Sequence, residues 1–148
     1  FLKENLIYNF MVEIGGELSL SGYNLENKKW SIGVQNPLSN NVSSTLNLSL
    51  TNKTIATSGN YRNFFTHGGK SYSHIISPTT GYPIDNDILS VTVIADQCID
   101  ADALATSLIV MSIKDGINLI DKIKGAEVFY ITKENENLYS EGFKDFIH

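Results

Sequence analysis

The chain is 148 residues long, enough for one domain with a buried core, and its 42% hydrophobic and 18% charged residues exclude wholesale disorder. With 11 Lys and Arg against 16 Asp and Glu, the net charge is −5, and no basic run occurs. That balance argues against nucleic acid or an anionic membrane as the main partner; an anionic ligand would need a local cation or helix N-terminal N–H groups to offset the field. Cys98 is the only cysteine, which excludes an internal disulfide framework and any cysteine-based zinc cluster. No apolar run is long enough to cross a bilayer. The sequence opens on Phe1, so the true start, with any signal or lipid anchor, is expected upstream of it.

Residues 6–14, "LIYNFMVEI", read as a strand that "GGE" breaks. Residues 18–23 and 30–34 read as two strands joined across "NLENKK" in a hairpin. Leu46, Leu48 and Leu50 alternate with polar residues, the period of a strand with one wet face. "TIATS" adds another strand. "YRNFF" and "SYSHII" flank "THGGK", whose paired glycines supply a tight turn. The β-branched run 88–95, "ILSVTVIA", predicts a buried strand.

The period then changes. Residues 100–111 predict a helix with Asp100 as N-cap, and "KDGINLIDKI" predicts a second, with Ser112 and Asp115 at capping-box spacing and Gly125 past its end. "AEVFYIT" returns to strand, "KENEN" turns, "LYS" pairs back, and the last residues form a short helix. The fold class is therefore α+β: a mixed, mainly antiparallel sheet with a helical pair packed on it, in a single domain over 1–148.

Chemistry concentrates in a few stretches. Asp102 and Thr106 are four apart on the first helix and so share a face. Side by side they are hard oxygen ligands of the kind Mg²⁺ takes; equally, an acid in a first turn stabilises the helix dipole while a threonine bonds a backbone carbonyl. His74 ends a strand just before the Pro78–Gly81 turn, where Thr79 and Thr80 satisfy the backbone or face a ligand. Histidine is the side chain whose ordinary titration falls nearest neutrality, which makes His74 the best general-base candidate; a structural histidine bonded to a carbonyl is the other reading. Gly15 and Gly16 allow close approach of backbone to a ligand. Arg62 either neutralises a phosphate or sits on the surface, and His67 and His148 read as solvated. Glu13 and Glu17 have no pairing that points to a two-carboxylate glycosidase.

Taken in order, "MVEIGGELSLSG", "WSIGVQNP", "IATSGNYRNFF", "YSHIISPTTGYP", "SVTVIA" and "ADALATSLIVM" resemble the ApbE family, the FAD:protein FMN transferases. These stretches extend over most of residues 11–111, and "AEVFYIT" fits the family's closing strand. The specific signal is His74 with its Pro-x-Thr-Gly turn, followed at this distance by Ala-Asp-x-x-Ala-Thr. The match is to the later part of the family's chain, so 1–148 is expected to be the C-terminal part of an ApbE-like flavin transferase. One departure is Ser77, where the family usually carries an aspartate.

The resemblance implies an activity. FAD binds with Mg²⁺ on its pyrophosphate, and a threonine or serine hydroxyl of an acceptor flavoprotein attacks the FMN-side phosphorus, releasing AMP. By the same resemblance Asp102 and Thr106 would be the metal ligands and His74 the base. Gly15, Gly16 and Glu17, with Thr57, Ser58 and Gly59, would line the FAD site. Two alternatives share these residues: an FAD pyrophosphatase using water, and a non-catalytic flavin-binding or docking fragment. The family's habit also implies a periplasmic or other extracytoplasmic, membrane-associated setting, with the tether outside this chain.

Overall fold

The computed structural model describes residues 1–38, 44–60 and 64–148, with the backbone alone for 44, 45, 64, 67, 70 and 71. Arg62 lies outside the described residues, as does the side chain of His67. The chain starts with a 3₁₀ turn at Lys3–Asn5, closed by Leu6 at a left-handed φ of 60°. That turn delays the first strand, β1, to Phe10–Ile14 rather than residue 6. Gly15 and Gly16, both at positive φ, then reverse the chain into β2, Glu17–Ser21. Two successive positive-φ residues are what a two-residue hairpin matching strand twist requires, so Gly-Gly makes the turn.

The expected hairpin across "NLENKK" does not form. β3, Trp30–Gln35, leaves the first sheet and pairs with β4, Ser44–Leu50, setting Val34 opposite Leu46 and Ile32 opposite Leu48. The segment 22–29 is a crossing between sheets, steadied where the Trp30 indole N–H donates to the Ser21 carbonyl at 3.0 Å. β2 pairs instead with β5, Thr54–Gly59, through Leu18↔Ile55 and Ser19↔Thr54. Next comes the ribbon of β6, Phe64–His67, and β7, Lys70–Ser73, turned by Gly68 and Gly69.

The run at 88–95 forms β8, Ile88–Ala95, buried at every position. Helix α1, Cys98–Leu108, starts two residues before the expected point: Gln97 is its N-cap, without a side-chain bond, and Asp100 sits in the first turn as an acid facing the positive end. Helix α2, Ile113–Ile120, begins as expected, with Ser112 Oγ accepting from the Asp115 N–H at 3.2 Å. β9, Glu127–Thr132, and β10, Asn137–Tyr139, close the sheet, and a 3₁₀ turn at Glu141–Phe146 ends the chain.

The α+β reading holds: one sheet of order β1-β2-β5-β8-β9-β10, antiparallel throughout, with the helical pair on one face. On that face Ala101, Ala105, Leu108 and Ile120 pack against Ala56, Val91, Val93, Val128 and Tyr130. On the other, Ile32, Val34, Leu48 and Leu50 of the β3–β4 pair and Phe143 cover Leu20, Ile55, Ile94, Phe129 and Ile131. Period-2 alternation along β5, β8 and β9 thus feeds two apolar layers, one per face. β5 therefore runs between a helix and a second sheet, and its end is where the candidate site lies.

Candidate functional site

Beyond Ile55 and Ala56, β5 leaves the core and its sequence turns polar: Thr57, Ser58, Gly59. Alternation sends Thr57 and Ser58 to opposite faces, and each hydroxyl meets another. Ser58 Oγ lies 2.9 Å from Thr106 Oγ1 on α1. Thr57 Oγ1 lies 2.9 Å from Thr92 Oγ1 on β8. A cavity of about 450 Å³ opens around this strand end, lined by Thr57, Ser58, Gly59, Thr106, His74, Gly15 and Gly16. Residues distant in sequence, from the β1–β2 turn to α1, share this one hollow.

His74 is exposed and follows β7 directly. The loop behind it is held by its own backbone bonds, with the Ser77 and Thr80 hydroxyls in support. Gly81, at φ 72°, donates its N–H to the Ser77 carbonyl at 2.9 Å, Ser77 donates to the Tyr82 carbonyl at 2.8 Å, and Ser77 Oγ accepts from the Thr80 N–H at 3.4 Å. Serine at 77 thus caps the turn without a charge, and an isolated bridge between Ile76 and Pro83 closes it.

Glu17 and Asp102 line a second hollow, of about 350 Å³, with Val12, Ile14, Cys98 and Ile99. Strand alternation separates the two. Glu13 and Leu18, a cross-strand pair, face the first; Val12 and Ile14 with their partners Ser19 and Glu17 face the second. α1 spans both, giving Thr106 to one and Asp102, a turn earlier, to the other. Both of these side chains are solvent-exposed. Two hard oxygens one helical turn apart suit a hard divalent cation that completes its shell with water or phosphate oxygens. The Cys98 thiol, which lines the second hollow, is pushed up from its ordinary value by burial first, then by the Glu17 and Asp102 carboxylates.

Sequence reasoning missed Gln35 and Ile75 in the lining of this cavity and Thr92 bonded to Thr57 behind it, and set Glu13 aside although it lines the cavity. Thr92 had no available signal, because only the register Thr57↔Thr92 brings it there.

A model of the ApbE family matches residues 1–130. The FAD:protein FMN transferase of Vibrio cholerae serotype O1 is 40% identical over 146 residues, which is 99% of this chain and 42% of that protein. The protein of the same name from Escherichia coli K12 is 34% identical over 149 residues, again 99% and 42%. Among solved structures, the flavin transferase ApbE from Vibrio cholerae superposes with a TM-score of 0.81 at 39% identity, covering 98% of this chain and 46% of that one. The ApbE protein from Thermotoga maritima gives 0.81 at 31% identity, covering 94% and 45%. The fold is shared with solved flavin-transferase structures. The chain belongs to the ApbE family and spans under half the length of the relatives it matches.

Proposed function

We propose that this chain forms the C-terminal part of an FAD:protein FMN transferase and carries its proton acceptor and metal-binding side chains. One observation supports this most: the cavity at the end of β5 gathers His74, Thr57, Ser58, Gly59, Thr106, Gly15 and Gly16 from four separate segments. The shared name of the relatives supplies the substrate, FAD, and the acceptor, a protein.

The donor set fits Mg²⁺. An exposed carboxylate and an exposed hydroxyl a helical turn apart are hard ligands, and that ion retains water and takes phosphate oxygens for its remaining positions. Asp102 and Thr106 would hold it. Bound there, it would neutralise charge on the pyrophosphate and on the departing AMP. Gly15 and Gly16 let backbone approach the diphosphate without side-chain obstruction, while Thr57 and Ser58 offer hydroxyl donors to its oxygens. His74 accepts the proton of a threonine or serine hydroxyl on the acceptor protein as that oxygen bonds to the FMN-side phosphorus. The bond from this phosphorus to the bridging oxygen breaks, and AMP departs with that oxygen. The acceptor keeps FMN as a phosphoester.

By family resemblance we place the protein outside the cytoplasmic membrane and associated with it; among the described residues no helix is long and apolar enough to cross a bilayer. Fractionation of cells expressing the protein at its native level tests this.

The function is tested by incubating the protein with FAD, Mg²⁺ and a threonine-bearing acceptor flavoprotein, followed by mass spectrometry. The expected result is an acceptor heavier by one FMN, with one AMP released. FMN and AMP free in solution beside an unmodified acceptor would assign hydrolysis instead. FAD neither bound nor split would overturn the reading.

A further inference from the structure

Thr92 is fully buried, in the middle of the central strand β8, on a face whose other members are Ile55, Ile94, Phe129 and Ile131. A valine would fill such a position with the same shape and no hydroxyl to desolvate. Yet threonine stands there, directly opposite Thr57 in the register and bonded to it, Oγ1 to Oγ1, at 2.9 Å. Thr57 is exposed and borders the cavity. The Thr92 side-chain bond therefore leads out of the core and into the site.

We propose that Thr92 is a positioning residue for the flavin diphosphate, acting through Thr57. In that role Thr92 is the donor of the pair and Thr57 Oγ1 the acceptor, which leaves the Thr57 proton free to point into the cavity and donate to an anionic oxygen. Two donors in series reinforce each other, and their common direction is fixed from the buried end. Without Thr92, the Thr57 hydroxyl turns freely and spends part of its time donating elsewhere. This inference rests on the proposed function, since it takes FAD as the ligand whose anion Thr57 meets.

The test is FAD binding, followed by quenching of flavin fluorescence, in the wild-type protein and in the variants Thr92→Val, Thr92→Ser, Thr57→Val and the double variant Thr57→Val with Thr92→Val. Thr92→Val is expected to melt at or above the wild-type temperature, because it removes a buried hydroxyl, while binding FAD about three- to tenfold more weakly, the scale of one hydrogen bond. Thr92→Ser restores the affinity, and the double variant binds no more weakly than Thr57→Val alone. Equal affinity in wild type and Thr92→Val overturns the inference and leaves the function standing, as does additive loss in the double variant. Absence of FAD binding by the wild-type protein overturns both.

Discussion

Ser58 Oγ and Thr106 Oγ1 are 2.9 Å apart and join the end of β5 to the last turn of α1. Strand and helix meet there through two hydroxyls, while Ala56 and Ala105 join them in the same apolar cluster. The bond fixes the rotamer of the threonine proposed as a metal ligand. Ser58→Ala is therefore expected to weaken the Mg²⁺ dependence of FAD binding by about tenfold or more, the usual penalty for losing a group that orients a ligand. Thermal stability should change little, because both side chains border solvent. Titrating Mg²⁺ at fixed FAD measures it.

His74→Ala separates binding from chemistry. The side chain is exposed and follows the end of β7, so its removal leaves the core untouched. FMN transfer should fall by about 10²–10⁴, the contribution of a positioned general base, with FAD affinity near that of the wild type. Parallel loss of affinity and rate would make His74 a binding group instead.

Cys98 reports on the second hollow. Burial, then Glu17, then Asp102 push its thiol upward, so less thiolate exists at a given pH than for an ordinary cysteine. Alkylation by iodoacetamide should be slow at pH 8 and rise with pH beyond the ordinary thiol range. Glu17→Gln and Asp102→Asn should each shift that rise to lower pH, Glu17→Gln by more. A profile unmoved by either change would contradict the placement of the two carboxylates about the thiol.

How much of this was legible beforehand depends on how local the signal was. β8 could be read because a run of apolar and β-branched residues, Ile88–Ala95, needs burial on both faces, which the structure gives it. The Gly15-Gly16 and Gly68-Gly69 turns were equally plain, since positive φ is written in the residue type. The β2–β3 hairpin was misread because strand pairing is nonlocal: β3 is apolar at Ile32 and Val34, and only the partner face of Leu46, Leu48 and Leu50 shows where it belongs. The start of α1 was misplaced because Asp100 looks like a cap while Gln97, the actual one, has no capping bond. At the site, Gly15, Gly16, Thr57, Ser58, Gly59, His74 and Thr106 were selected by motif and converge on one cavity, whereas Glu17 and Asp102 open on the next. Thr92 was invisible, since a threonine in a buried strand carries no mark of what lies across from it.

Tyr130 is buried, and its hydroxyl has no hydrogen-bond partner among the described residues. Gly116 of α2 lies against it: a Cβ there would collide with that hydroxyl and come within 3.1 Å of Leu108 Cδ2. Gly116→Ala should therefore destabilise the fold by about 1–3 kcal/mol despite alanine's better helix propensity, and should cost much less in a Tyr130→Phe background. Melting of the four proteins in the cycle decides it.

The same phenol gives an alkaline signature. Burial pushes Tyr130 up to about 12 from its ordinary 10.0. Between those values the unfolded chain loses the phenolic proton while the folded one keeps it, so the unfolded state binds fewer protons and stability falls as pH rises. Stability should be fully present below the ordinary value and decline through about pH 12, and Tyr130→Phe should flatten that decline. Urea unfolding across this pH range measures it.

The most direct test of the proposed site is a Mg²⁺ titration of FAD binding in the wild-type protein and in Asp102→Ala. Asp102 is exposed on α1, so the variant should melt like the wild type. The expected result is that Mg²⁺ tightens FAD binding to the wild-type protein and leaves binding to Asp102→Ala unchanged. Equal tightening in both proteins, or none in the wild type, would contradict a metal-assisted flavin site on this helix.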